Sequence, residues 1–150
     1  MLVWIARGAL IHNLMKKIEH IGIAVKNLEQ ANALFEKLLG RAPFKTEKVE
    51  REGVTTSFFQ TGESKIELLE ATNAESPVSK FIEKRGEGIH HIAFEVKDIR
   101  AEMKRLAAEG FVLLNEEPQR GADNKWVCFV HPKSSNGVLV ELCQEINEVE

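Results

Sequence analysis

Two histidines and two glutamates recur in the same order in the two halves of this chain. His20 and Glu67 lie in the first half, and His91 and Glu141 hold the matching places in the second half. Each histidine lies near the start of its half, and each glutamate lies in the last strand-like run of its half. Imidazole nitrogens and carboxylate oxygens together form a suitable ligand set for a divalent metal ion. Because the repeat carries all four residues, the sequence predicts a metal site built from both halves.

His90 is an alternative to its neighbour His91 as a metal ligand. Strand alternation places His90 on the same face as Ile92, and the repeat aligns His91 with His20. The sequence therefore favours His91. His131 follows an apolar run, and both a role in a turn and a contact with substrate remain open for it.

The composition is that of a folded domain and argues against nucleic acid as a partner. Of the 150 residues 43% are hydrophobic, which is enough for one domain with a packed core. The net charge is −3 and the basic residues are dispersed, whereas nucleic-acid binding needs a positive field. Cys128 and Cys143 lie in apolar runs. Two such cysteines do not make a disulfide framework, so we expect them to be reduced core residues of a cytoplasmic protein.

The start of the chain differs from the rest. Residues 1–14 lack the basic start and long apolar run of a signal peptide, and they are too short to span a membrane. We expect them to form an N-terminal extension outside the fold. Residues 15–145 then form a single domain of two modules, at about 17–71 and 88–145, joined by a short linker helix within 76–85.

Hydrophobic periodicity predicts a strand, a helix and then two or three strands in each module. The first has a strand at 17–25, a helix from the N-cap Asn27 to Gly40, and strands at 54–60 and 65–70. The second has a strand at 89–96, a helix from Asp98 to Gly110, and strands at 111–115, 126–130 and 138–143. The first helix carries an apolar stripe formed by Leu28, Ala31, Phe35, Leu38 and Leu39.

Alternation within the strands then places the four polar residues on one face. The apolar residues of each opening strand must pack under a helix, which turns His20 and His91 to the opposite face. The neighbours on that face are small residues, such as Gly22, and they leave a hollow. If Val140 and Leu142 pack against the helices, Glu141 points into the same hollow.

Several stretches carry a resemblance to a known family. They are residues 20–25 (HIGIAV), 66–70 (IELLE), 76–78 (SPV), 86–96 (GEGIHHIAFEV), 117–118 (EP), 121–122 (GA), 131–133 (HPK) and 137–142 (GVLVEL). These stretches resemble the methylmalonyl-CoA epimerases of the vicinal-oxygen-chelate superfamily, the group of glyoxalases, bleomycin-resistance proteins and dioxygenases. The resemblance covers roughly residues 17–145.

The resemblance implies an α+β fold in which paired βαβββ modules form a cup-shaped mixed sheet around a divalent metal. It implies His20, Glu67, His91 and Glu141 as the ligands, cobalt as the first choice of metal, and zinc, nickel, manganese or magnesium as alternatives. It also implies a homodimer that binds an acyl-CoA and interconverts (2R)- and (2S)-methylmalonyl-CoA. We expect proton exchange at C2 through a metal-stabilised enolate.

One position departs from the family pattern. Some members carry a glutamate, proposed as a catalytic base, two residues after the valine of a Gly-Val pair, and this chain has Thr56 there. Inversion needs a base on one side of the carbon and an acid on the other. We therefore expect the ligand carboxylates to serve as catalytic groups, Glu141 first and Glu67 second.

Two other functions fit the same fold. A lactoylglutathione lyase of the glyoxalase I type would use the same four ligand types. A metal-free protein that binds a small molecule would need none of them.

Overall fold

The computed structural model describes residues 15–147, so the predicted extension at 1–14 lies outside the described residues. The first half comprises β1 (Met15–Ala24), α1 (Leu28–Leu39), β2 (Lys45–Val49), β3 (Val54–Thr61) and β4 (Ser64–Ala71). Helix α2 (Pro77–Arg85) leads to the second half. That half comprises β5 (Gly88–Val96), α3 (Ile99–Ala108), β6 (Gln119–Gly121), β7 (Lys125–Val130) and β8 (Val140–Glu145). Each half has the βαβββ order that the family resemblance implies.

All eight strands belong to one mixed sheet, with the order β2-β3-β4-β1-β5-β8-β7-β6. The two opening strands, β1 and β5, pair antiparallel at the centre. On either side, β4 runs parallel to β1 and β8 runs parallel to β5, which makes the halves pseudo-symmetric. The predicted α+β fold with a mixed sheet is therefore confirmed.

Side chains connect the two ends of the sheet and nearly close it into a cup. Lys45 of β2 donates to Asp123, in the turn after β6, with an Nζ–Oδ1 distance of 2.6 Å. Arg51, just after β2, donates to Gln119 of β6 at 3.1 Å. The inner surface of the sheet therefore forms a concave wall.

Each long helix covers an apolar cluster on the outer face of the sheet. Under α1, Val25, Leu28, Phe59 and Leu68 are buried together. The predicted stripe holds except at Leu38, which is 71% exposed. At 100° per residue, Leu38 lies roughly 65° from the centre of the stripe that its other members form, so it faces solvent.

The second helix fixes the direction of the last strand. Met103 and Leu106 of α3 pack with Leu142, and Val140 packs against the same cluster. Because side chains alternate along a strand, Glu141 points to the inner face, as predicted. Within residues 15–147, no helix combines the length and the apolar character that a membrane crossing requires.

The predicted strands differ from the observed ones mainly at the edges of the sheet. The edge strands β2 (KTEKV) and β6 (QRG) were not predicted, because short polar edge strands carry little hydrophobic signal. The strand predicted at 111–115 was wrong, since this segment makes a single bridge, between Leu113 and Val130.

The pairing of β1 with β5 is irregular at two points that matter for the site. Partners are Ile18 with Phe94 and then His20 with Ala93, so Glu19 is an extra residue in β1. A second shift leaves His90 as an extra residue in β5. Such bulges interrupt the alternation of side chains and redirect the residues beside them.

Candidate metal and catalytic site

The four central strands of the sheet each contribute one of the predicted ligands. His20 comes from β1, Glu67 from β4, His91 from β5 and Glu141 from β8. None of the four is more than 6% exposed. Buried ionisable groups are costly unless they are paired or bind a metal ion, so this cluster needs a physical explanation.

His91 and Glu141 meet the outer nitrogen of His20. His20 Nε2 lies 3.0 Å from His91 Nε2 and 3.0 Å from Glu141 Oε2. Glu141 Oε2 is buried and accepts no hydrogen bond from residues 15–147. A buried acceptor without a donor is typical of a site that takes up an ion or a water.

Glu67 contacts the other ring nitrogen of His20. Glu67 Oε2 lies 3.0 Å from His20 Nδ1, and Glu19 Oε1 is also 3.0 Å from that atom. The donor atoms thus fall into two groups that share His20. One group is His20, His91 and Glu141, and the other is Glu19, His20 and Glu67; within each, the donors lie within 4.8 Å of one another.

Glu19 is a part of the site that the sequence reasoning missed. Strand alternation points Glu19 away from His20, but the bulge at Glu19 turns both side chains inward. Its carboxylate also lies 3.1 Å from the buried Nζ of Lys65. These two contacts outweigh the effect of burial and lower the pKa of Glu19 to about 2.

His90 does not lie where alternation placed it. The prediction that it shares the face of Ile92 was wrong, because His90 is the extra residue of the second bulge. Its Nδ1 lies 2.9 Å from Nδ1 of His91, and its ring centroid lies 5.0 Å from that of Phe81. His90 therefore orients the ring of His91, as partners of metal-binding histidines commonly do.

Of the two roles left open for His131, the structure shows the one in a turn. Its Nδ1 accepts a hydrogen bond from the backbone N–H of Lys133.

A glycine makes room for His91. A Cβ atom at Gly22 would lie 2.2 Å from Cε1 of His91, which is closer than any real contact. The hollow predicted around small residues thus exists, and the imidazole of His91 occupies the space above Gly22.

The donor set fits a divalent cation. A cavity of about 20 Å³ lies among His20, Glu67, His91 and Glu141, which is room for one water-sized occupant. The mixed nitrogen and oxygen donors are suited to metals such as cobalt, zinc or nickel. The orphaned Oε2 atom of Glu141 provides an acceptor that a cation would satisfy.

The charges in the site also favour a cation. Burial opposes the charged form of His20, but the carboxylates of Glu141 and Glu67 raise its pKa well above the ordinary value. Burial lowers the pKa of His91 to about 3, so His91 stays neutral. Burial raises the pKa of Glu141, but His20 lowers it more, and the net effect is a lowered pKa. The carboxylates of Glu67 and Glu141 thus hold a positive charge on His20, and a bound cation would supply that charge in place of the His20 proton.

A larger, mainly apolar cleft opens beside the site. It has a volume of about 350 Å³, and Glu52, Leu69, His91 and Val127 line both this cleft and the small cavity. The cleft continues past His90 into a groove of about 250 Å³. That groove carries the basic side chains of α2, namely Lys80, Lys84 and Arg85.

The comparisons with known proteins agree with this geometry. Residues 19–129 match the model of the Glyoxalase/Bleomycin resistance protein/Dioxygenase superfamily. The chain is 43% identical over 130 residues to the ethylmalonyl-CoA/methylmalonyl-CoA epimerase of Cereibacter sphaeroides, covering 85% of this chain and 97% of that one.

Two solved structures are also similar. One is a methylmalonyl-CoA epimerase from Mycobacterium tuberculosis, with a TM-score of 0.88, 32% identity, and coverage of 96% and 97% of the two chains. The other is a variant of the Streptomyces coelicolor methylmalonyl-CoA epimerase in complex with 2-nitronate-propionyl-CoA, with a TM-score of 0.84 and 35% identity. It covers 89% of this chain and 99% of its own. The chain therefore belongs to the methylmalonyl-CoA epimerase family of the glyoxalase/bleomycin resistance protein/dioxygenase superfamily.

Proposed function

We propose that this protein is an epimerase that interconverts (2R)- and (2S)-methylmalonyl-CoA by proton exchange at C2. One observation carries the proposal: the four central strands each bring one buried donor to a cluster around His20, beside an apolar cleft. Relatives over nearly the whole chain are named as epimerases of this substrate, and this favours the epimerase over the lyase and over a metal-free binding protein.

We propose His20, Glu67, His91 and Glu141 as the residues that hold a divalent cation, with cobalt as the first choice. Glu19 supports them from the second donor group. When bound, the cation supplies positive charge that stabilises the enolate formed when the C2 proton leaves. His90 holds the ring of His91 in place, and Gly22 leaves the space for it.

Glu141 is the first candidate among the ligands for moving the proton, and Glu67 is the second. Glu141 Oε2 accepts no hydrogen bond from the described part of the chain, so it is available to a substrate proton when the carboxylate loosens from the cation. The lowered pKa of Glu141 keeps it ionised and able to act as a base. Glu67 is less accessible, because it lies on the Nδ1 side of His20.

The groove next to the cleft suits the coenzyme A part of the substrate. It shares Pro77, His90 and Leu139 with the cleft, and its basic side chains suit phosphate groups. We expect Lys84→Ala to raise KM for methylmalonyl-CoA several-fold at low salt with little change in kcat. Lys37→Ala, which removes a similarly exposed lysine at the end of α1, is the matched control. Steady-state kinetics at two salt concentrations measure the effect, and an unchanged KM would remove Lys84 from the binding site.

The assembly and the location of the protein follow as further proposals. Leu34 and Leu38 of α1 are 63% and 71% exposed, and covering them is a reason to form a homodimer. Light scattering after size-exclusion chromatography would measure the mass. Cys128 and Cys143 are free and buried, which is in keeping with a reducing, cytoplasmic environment.

The decisive experiment follows hydrogen exchange at C2. The protein is loaded with cobalt and incubated with methylmalonyl-CoA in D2O, and deuterium at C2 is measured by NMR. We expect deuterium in both epimers, and we expect EDTA to abolish the exchange. A lyase would instead act on a glutathione hemithioacetal, and a binding protein would leave both substrates unchanged. Absence of exchange with the loaded protein would contradict the proposed function.

A further inference from the structure

Inversion at C2 needs two proton-transfer groups, and the predicted ligands supply only one that is well placed. Glu141 lines the small cavity, and its Oε2 accepts no well-aligned hydrogen bond from residues 15–147, although His20 Nε2 lies 3.0 Å away. Glu67 lies instead on the far side of His20, where its Oε2 is 3.0 Å from His20 Nδ1 and 3.9 Å from the Nζ of Lys65. Thr56 also lines the cavity, but its buried hydroxyl is far too weak a base.

Glu52 is the one carboxylate among residues 15–147 that lines both the small cavity and the apolar cleft. It is the last residue of a short 3-10 turn, Glu50–Glu52, between β2 and β3. Gly53 ends this turn with a φ of 63° and donates its N–H to the carbonyl of Glu50. This left-handed conformation favours glycine and fixes the direction in which Glu52 leaves the turn.

The carboxylate of Glu52 reaches across the opening of the cup to the opposite end of the sheet. A Cβ atom at Gly121 of β6 would lie 3.3 Å from Oε1 of Glu52 and 2.8 Å from Cγ1 of Val127. Gly121 therefore leaves the space in which this carboxylate lies. Glu52 comes from the first half of the chain and Glu141 from the second, so they approach the shared boundary of the two cavities from different walls.

We propose that Glu52 is a second catalytic residue of the epimerase, acting on the face of C2 opposite to Glu141; this inference rests on the proposed function. In one direction the C2–H bond breaks, Glu141 takes the proton, and the electron pair moves into the thioester enolate. A protonated Glu52 then delivers its proton to the other face of C2. The reverse reaction exchanges the two roles, and proton exchange with solvent resets both carboxyl groups between turnovers.

The surroundings of Glu52 suit proton transfer in both directions. Burial, followed by the charges of Glu141 and Glu67, raises the pKa of Glu52 to about 8, with a smaller contribution from Glu47 and an opposing one from His20. A carboxyl group whose pKa lies near neutrality can both accept and release a proton at the working pH.

The test measures two quantities separately in the Glu52→Gln variant: the rate of epimerisation at C2 and the exchange of the C2 proton with solvent. Loss of one general acid–base group typically slows a reaction by about 10²–10⁴-fold, and we expect a loss of this size in epimerisation. Glu141 remains, so one epimer should still exchange its C2 proton in D2O with retention of configuration, while the other epimer should not exchange. The matched control is Glu50→Gln, since Glu50 lies on the same turn but its side chain is 80% exposed. We expect the control to epimerise at the wild-type rate.

Two results would overturn the inference. One is a wild-type rate of epimerisation in Glu52→Gln. The other is loss of exchange from both epimers in a folded variant with a full metal content, because Glu52 would then support the whole site. If Glu52→Gln does not fold, Glu52→Asp moves the carboxylate back by one methylene, and full epimerisation in that variant would also overturn the inference. Failure of the wild-type protein to exchange C2 would instead refute the proposed function.

Discussion

His91 lies directly over Gly22, and this contact leaves no room for a side chain at position 22. The two residues are paired in the β1–β5 ladder, so the backbone at Gly22 cannot move without disturbing the centre of the sheet. The sequence indicated small residues around the histidines but did not show which of them His91 requires. Only the packing of the two strands shows that this residue is Gly22.

We expect Gly22→Ala to weaken metal binding. The added methyl group must displace the imidazole of His91, and disturbed orientation of a ligand typically costs about 10–100-fold in metal affinity. Titration with cobalt, followed by calorimetry, measures the effect. Gly62→Ala is the control, because Gly62 has a φ of 60° but nothing within 4 Å of the added atom. The control should lose some stability but keep its affinity, and equal affinities in all three proteins would contradict the prediction.

At the scale of helices and strands, hydrophobic periodicity predicted most of the elements. The predictions failed where a bulge or a turn interrupts that periodicity. The opening strand and helix of each half, the caps Asn27 and Asp98, and the inward direction of Glu141 are confirmed, whereas the full βαβββ order had been implied by the family resemblance. Glu19 was missed and His90 was placed on the wrong face, because a bulge adds a residue without leaving a mark in the hydrophobic pattern. Glu52 was missed because it belongs to a turn whose direction depends on tertiary contacts.

The link between the two ends of the sheet leads to a prediction on stability. Asp123 accepts from Nζ of Lys45 and from Nζ of Lys65, each at 2.6 Å. Burial raises the pKa of Asp123, but these two hydrogen bonds lower it more, to below the ordinary value of 3.8. A carboxyl group with a lower pKa in the folded state adds stability above its unfolded pKa and loses it as the pH falls through its folded pKa.

We therefore expect Asp123→Asn to lower the free energy of unfolding at pH 7 by about 1–3 kcal/mol, the usual range for hydrogen bonds to charged groups. The difference from the wild type should shrink below about pH 4, where the wild-type carboxyl begins to gain its proton. Urea unfolding at pH 7 and at pH 3.5 (about half a unit below that limit) measures both values. Glu117→Gln breaks an exposed ion pair with Arg100 and should cost less than about 1 kcal/mol. A difference that persists unchanged at the lower pH would contradict the role of the charge.

At the scale of the whole molecule, one cation would join both halves. Its proposed ligands come from β4, β1, β5 and β8, and the β1–β5 pair is the only direct strand pairing between the halves within residues 15–147. Binding to the folded state alone stabilises it by about 2.7 kcal/mol when the free ligand is at 100 times its Kd. Cobalt should therefore raise the unfolding temperature, and EDTA should lower it again.

Differential scanning calorimetry measures this shift. His91→Ala should abolish it, whereas His131→Ala should keep it, because His131 caps a turn outside the site. An equal shift in both variants would show that cobalt binds elsewhere on the protein.

The bulge at Glu19 has a consequence for how this family tolerates changes in chain length. Replacing Glu19 by another residue keeps the extra position and the course of the backbone at His20, although it removes the contact between the Glu19 carboxylate and His20 Nδ1. Deleting Glu19 would restore a regular ladder with β5, and the residues before it would each move one place and exchange their inner and outer faces. For the register of β1 with β5, the number of residues at this point of the chain matters more than their identity. A relative that lacks this single residue would need a different route to bring its first histidine into the cup.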